Sequence, residues 1–118
     1  MIYNESMAFR IDIEAMVLGA LQSEPLHGYE IVRRIKESGG AGKLSEGQIY
    51  PYLHQLEEKG MLTSEWKTDT GAAPRRVYQL TESGQGELAR HRVRWEKFVS
   101  GVTSILAAGP TRMEGNHG

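Results

Sequence analysis

Apolar residues recur at helical spacing in three stretches of the first half of the chain, and each stretch is punctuated by residues that start or stop a helix. Ile13, Met16, Val17, Ala20 and Leu21 fall at intervals of three and four, with Asp12 placed to cap them and Pro25 beyond their end. A second helix is expected to begin at His27 or Gly28. It turns Tyr29, Ile31, Val32 and Ile35 largely inward and dissolves in the connector Ser38-Gly39-Gly40-Ala41-Gly42. The third carries Ile49, Leu53 and Leu56 on its inner stripe. Ser45 followed three residues later by Gln48 is a capping box, and Gly60 stops the helix with Met61 able to fold back on Leu56. A rotation of about 100° per residue turns Gly47, Pro51, His54 and Glu58 outward, with Gln48, Tyr50 and Gln55 on the flanks. Pro51 lies past the first turn, so a bend or a loosened turn is expected there.

After Gly60 the period shortens to two. Leu62, Ser64 and Trp66 oppose Thr63, Glu65 and Lys67, and Arg76, Tyr78 and Leu80 oppose Arg75, Val77 and Gln79. The turn-rich segment from Thr68 to Pro74 joins them as a hairpin, with Trp66 reading as core at its root. Thr81 and Glu82 then open a last helix expected to reach Ala107 or Ala108, ahead of Gly109-Pro110. Leu88, Trp95, Phe98, Val99, Val102, Ile105 and Leu106 share one side of it. So small a domain cannot cover that stripe, so a second copy of the chain is expected to pack there as a homodimer.

The fold class that follows is mainly α with a small β-hairpin: a winged helix-turn-helix and a long C-terminal dimerisation helix. The segments are an N-terminal arm at 1–10, the winged helix-turn-helix at 11–80, the dimerisation helix at 81–108 and a disordered tail at 109–118.

Composition narrows the chemistry. With 118 residues, 39% hydrophobic and 25% charged, the chain is of single-domain size. It lacks an apolar run of membrane-spanning length and a secretory leader pattern, which places it in the cytoplasm with no membrane partner. There is no cysteine, hence no disulfide, thiolate zinc site or thiol nucleophile. The histidines (His27, His54, His91, His117) show no metal-ligand spacing with a carboxylate, no glycine-rich loop follows a strand, and no nucleophile motif is recognisable. No catalysis, metal or cofactor is expected.

The net charge of −1 argues against a nucleic-acid partner, but affinity depends on the few cations that meet phosphates. Arg33, Arg34 and Lys36 cluster near one helix end, Arg75 and Arg76 stand at the hairpin turn, and Arg90, Arg92 and Arg94 recur on the last helix.

Three segments carry a resemblance: LHGYE at 26–30, SEGQIYPYLHQLEEKGML at 45–62 and PRRVYQLTESG at 74–84. In this order and spacing the chain resembles the PadR-type transcriptional regulators, in the short class with one C-terminal dimerisation helix, from about Met16 to Leu106. The resemblance implies a sequence-specific repressor of double-stranded operator DNA. It places Ser45, Gln48, Tyr50 and His54 at the DNA surface, where amide, hydroxyl and imidazole groups on a helix entering the major groove find base edges or phosphates. Gln55 shares that helix flank, Arg75 and Arg76 offer guanidinium groups to phosphate or minor groove, Lys67 is a further cation, and the Tyr29 hydroxyl could reach a phosphate. The plainer alternatives are a solvated helix face, a charged hairpin edge that discourages strand pairing, and a packing tyrosine. The resemblance also implies a pore between subunits in which a small apolar or aromatic effector stacks on Trp95, beside Phe98 and Val99; the alternative is that Trp95 is dimer core. Dimerisation would rest on Leu88, Trp95, Val99, Val102, Ile105 and Leu106. A winged-helix module that binds protein and never touches DNA is the competing function.

Overall fold

The first three helices and the hairpin fold as the amphipathic pattern requires. A computed structural model describes residues 5–39, 45–68 and 73–115. The described elements are α1 (Glu5–Ala20), β1 (Leu26–His27), α2 (Gly28–Glu37), α3 (Glu46–Glu58), β2 (Leu62–Lys67), β3 (Arg75–Leu80) and α4 (Glu82–Gly115). By its contacts the chain divides into two units, Met1–Leu88 and Ala89–Gly118.

The core of the first unit is assembled from one face of each element. α1 gives Ile13, Val17, Leu18 and Leu21, α2 gives Ile31, Val32 and Ile35, and α3 gives Ile49, Leu53 and Leu56. Leu26, Leu62 and Tyr78 close it from the strands. Each such side chain contributes about 1.5–3 kcal/mol by leaving water. Leu18 lies off the stripe read from the sequence, yet it is buried because α1 packs against both α2 and α3, which widens its apolar face.

α1 begins at Glu5, so Asp12 lies inside the helix rather than capping it, and 5–10 are helical where an arm was expected. The hairpin is one strand short of the sheet. β1 pairs with β3 through Leu26↔Tyr78 and His27↔Val77, giving the antiparallel order β1-β3-β2. A two-residue strand shows no period, which is why only its partners were legible. β2 and β3 run where alternation put them, in register from Leu62↔Leu80 to Lys67↔Arg75. The glycine connector at 40–44 and the hairpin tip at 69–72 lie outside the described residues.

The end of α3 is a Schellman motif: Gly60 adopts φ 81°, its N–H donates to Glu57 O at 3.0 Å, and the Met61 N–H donates to Leu56 O at 2.9 Å. The start of α4 docks on that stop. Thr81 donates its hydroxyl to Gly60 O (2.6 Å) and its N–H to Met61 O (3.1 Å), while its Oγ1 accepts the Gly84 N–H at 3.0 Å. A Cβ on Gly84 would overlap the Met61 carbonyl oxygen, so the approach admits only glycine. Leu88 packs against the core of its own chain, unlike the rest of the stripe predicted for dimerisation.

In the second unit, α4 carries Trp95, Phe98, Val99, Val102, Ile105 and Leu106 on its surface, all exposed, from 39% at Val102 to 74% at Ile105 and Leu106. Trp95 and Phe98 meet edge to face, with ring centroids 5.7 Å apart. The helix is interrupted at Gly109 (φ 34°, ψ −175°), where the expected stop stands, but 110–115 resume helical geometry instead of forming a tail from 109. Residues 116–118, with His117, lie outside the described residues.

Candidate nucleic-acid interface

The start of α3 is organised by its cap. The Ser45 N–H donates to Gln48 Oε1 at 2.9 Å, and the Ser45 hydroxyl lies 3.1 Å from the same oxygen. Ser45, Gln48, His54 and Gln55 are exposed, with Pro51 between them. Pro51 stands within an unbroken helix, where it leaves the Gly47 carbonyl without its N–H four residues on. Gln48 is thus committed at one end: its amide oxygen serves the cap, and its NH2 group is what remains for a partner.

Tyr50 turns off that face toward α2. A Cβ on Gly28 would stand 2.9 Å from Tyr50 Cε1, so glycine in the LHGYE segment makes room for the ring. Partial burial, with Glu46 nearby, pushes the Tyr50 hydroxyl above its ordinary pKa and keeps it a proton donor. Tyr29 is 59% exposed rather than turned inward, with its ring 6.2 Å from that of His27.

The wing arginines separate. Arg76 faces inward: it donates through Nε to Ser64 Oγ (2.8 Å) and through Nη2 to Glu57 Oε1 (3.0 Å), with the Ser64 hydroxyl donating to Glu57 Oε2 (2.6 Å). Its guanidinium carbon lies 5.9 Å from the Trp66 ring centre and 5.8 Å from that of Tyr78. Trp66 is accordingly not core; it is 67% exposed, a lid beside Arg76. Arg75 faces the other way, exposed, with Nη1 3.3 Å from His27 Nε2. Lys67 is exposed and pairs with Glu65 at 3.2 Å.

Two of the three cations clustered on α2 are paired with carboxylates. Arg33 bonds Glu30 and Glu37, and Arg34 bonds Glu30 and Glu24. Bonds from Arg33 first, then Arg34, hold the Glu30 carboxyl down at about 2. These cations therefore add less to a DNA-facing field than their number suggests.

His27, Tyr29, Tyr50, Trp66, Arg75 and Arg76 border one open cleft of about 630 Å3 between the start of α2, the first turns of α3 and the wing. Of the residues that the sequence offers for DNA, Tyr29, Tyr50, Arg75 and Arg76 border this cleft, whereas Ser45, Gln48, His54, Gln55 and Lys67 do not; His27 is an addition, because a histidine before a helix carries no signal until the sheet places it beside Arg75. Trp95, Phe98 and Val99 belong to the second unit, on one exposed helix face. Among the described residues no helix is long and apolar enough to cross a membrane.

A profile of the transcriptional regulator PadR-like family matches residues 17–90. The chain is 31% identical over 93 residues to transcriptional regulator Rv3488 of Mycobacterium tuberculosis, covering 79% of this chain and 84% of that protein. Among solved structures, a PadR-like transcription factor from Bacteroides fragilis superposes with a TM-score of 0.71 at 28% identity, over 86% of this chain and 96% of that one. Bacillus subtilis PadR, solved in complex with operator DNA, matches with a TM-score of 0.58 at 32% identity, over 65% of this chain and 44% of that one. Motifs, winged fold and relatives agree: the chain belongs to the PadR-like family of transcriptional regulators.

Proposed function

We propose that the protein is a cytoplasmic, homodimeric, sequence-specific DNA-binding repressor. The observation that carries this reading is the exposure of Ser45, Gln48, His54 and Gln55 on α3 and its cap and of Arg75 on the wing, in a fold that a relative uses on operator DNA. α3 would enter the major groove with His54, Gln55 and the Gln48 NH2 group toward base edges, while Arg75 follows the phosphates. Arg76 supports the wing, and Lys67 adds a weaker cation.

Dimerisation is supported by the exposed stripe Trp95, Val99, Val102, Ile105 and Leu106, which one chain leaves in water over about three helical turns. Trp95 and Phe98 give that stripe an aromatic corner able to stack on a flat effector, and an effector that shifts the paired helices would change the separation of the two α3 helices and release the operator. Selection of bound duplexes from a random pool is expected to return a pseudo-palindrome with half-sites about 34 Å apart. Recovery of no enriched sequence by a folded dimer would oppose the reading.

A further inference from the structure

His27 is held so that the position of its ring hydrogen is fixed. Its Nδ1 accepts the backbone N–H of Glu30 at 3.2 Å and caps α2, so that nitrogen presents a lone pair. The ring hydrogen then sits on Nε2, the atom 3.3 Å from Arg75 Nη1. A guanidinium has donors and no acceptor. The two groups are therefore donors side by side, and neither satisfies the other. An acceptor with several oxygens, placed before both, satisfies the pair. The α2 carboxylate that borders the same cleft, Glu30, is already bonded to Arg33 and Arg34. The Tyr29 and Tyr50 rings line the same cleft, which opens between α3 and the wing.

We propose that His27 and Arg75 form a seat for one phosphate of the DNA backbone, with Nε2–H and Nη1–H donating to its oxygens. This rests on the DNA-binding reading above. A phosphate suits the seat better than a base edge, because phosphate oxygens only accept whereas base edges mix donors and acceptors. The seat joins the start of α2 to the wing through one ligand, and so fixes the depth at which α3 lies in the groove.

His27→Ser tests the seat. Serine keeps a side-chain acceptor for the cap of α2 and removes the reach of the imidazole. The full-length variant, checked for unchanged helix content and melting temperature, is expected to bind duplex DNA about tenfold more weakly, on operator and unrelated sequence alike. Combined with Arg75→Ala, it should add little to the loss from Arg75→Ala alone, since one phosphate is shared. Wild-type affinity in a folded His27→Ser variant, or a loss confined to one sequence, overturns the seat while leaving the DNA reading intact. Should the wild-type protein bind no duplex, the DNA reading fails and the seat is judged by inorganic phosphate. A saturable shift of the His27 ring nitrogen resonance that Arg75→Ala abolishes supports it; an unmoved His27 signal overturns it.

Discussion

Glu57 of α3 and Arg76 of β3 form a 3.0 Å ion pair that fastens the helix to the wing, with Ser64 bonded to both partners. The neighbouring Arg75 is left on the outer side of the same strand. Adjacent arginines thus divide into one that holds the hairpin and one left exposed beside His27, because successive side chains of a strand point to opposite faces.

Arg76→Ala is expected to destabilise the fold by about 1–3 kcal/mol, since it removes the ion pair to Glu57, the bond to Ser64 and the guanidinium beside the Trp66 and Tyr78 rings. Arg75→Ala should leave stability within about 0.5 kcal/mol. Urea unfolding of both variants checks this, and equal losses would show that the two do not divide as described.

Gly84 and Gly28 face different neighbours, and alanine should discriminate them. At Gly84 the added carbon meets backbone, which cannot yield without moving the start of α4, so a loss of about 1–3 kcal/mol or more is expected. At Gly28 it meets the Tyr50 ring, which can swing aside. Gly28→Ala should cost less stability and change DNA affinity more. Thermal melts beside binding curves would show the crossed pattern or its absence.

The stripe on α4 should hold two chains together. Val99→Asp or Val102→Asp places a charge on it and is expected to shift sedimentation from dimer toward monomer at micromolar concentration. A wild-type protein that sediments as a stable monomer would remove the dimer from the account.

Fluorescence can address the effector, with one adjustment. Trp66 is exposed beside Arg76, so it emits from a wet site and must be silenced as Trp66→Phe before Trp95 is followed. In that background a planar aromatic cation or phenolic compound that stacks on Trp95 should quench it, and Trp95→Ala should weaken its binding by about 1–3 kcal/mol with the dimer intact. Absence of any response across such a panel would leave regulation to something other than this corner.

Most of the fold was legible because its elements are amphipathic and locally punctuated. The capping residues Ser45 and Thr81, the Gly60 stop and the alternation of both hairpin strands each follow from chemistry within a few residues. What was not legible depends on distant partners. β1 exists only because β3 lies beside it, and Trp66 is a lid rather than core because Arg76 is held against it by Glu57. His27 matters only once the sheet brings Arg75 to it. The spacing of Ser45 and Gln48 predicts the capping box, and the outward position of Gln48 predicts a contact to base edges or phosphates; the cap takes its amide oxygen, so the NH2 group alone is left for the second role.

The central claim is that this chain grips duplex DNA through a small number of phosphate contacts, despite a net charge of −1. The direct measurement is a salt titration of duplex binding by the wild-type protein, Arg75→Ala and His54→Ala. The logarithm of affinity should fall linearly with the logarithm of salt concentration; Arg75→Ala should weaken every sequence and reduce that slope by about 1, and His54→Ala should change sequence preference by about 1–3 kcal/mol at nearly constant slope. A folded wild-type protein with no affinity for duplex DNA at low salt, or one whose slope is indifferent to Arg75, would contradict the account and favour a winged helix that binds protein instead.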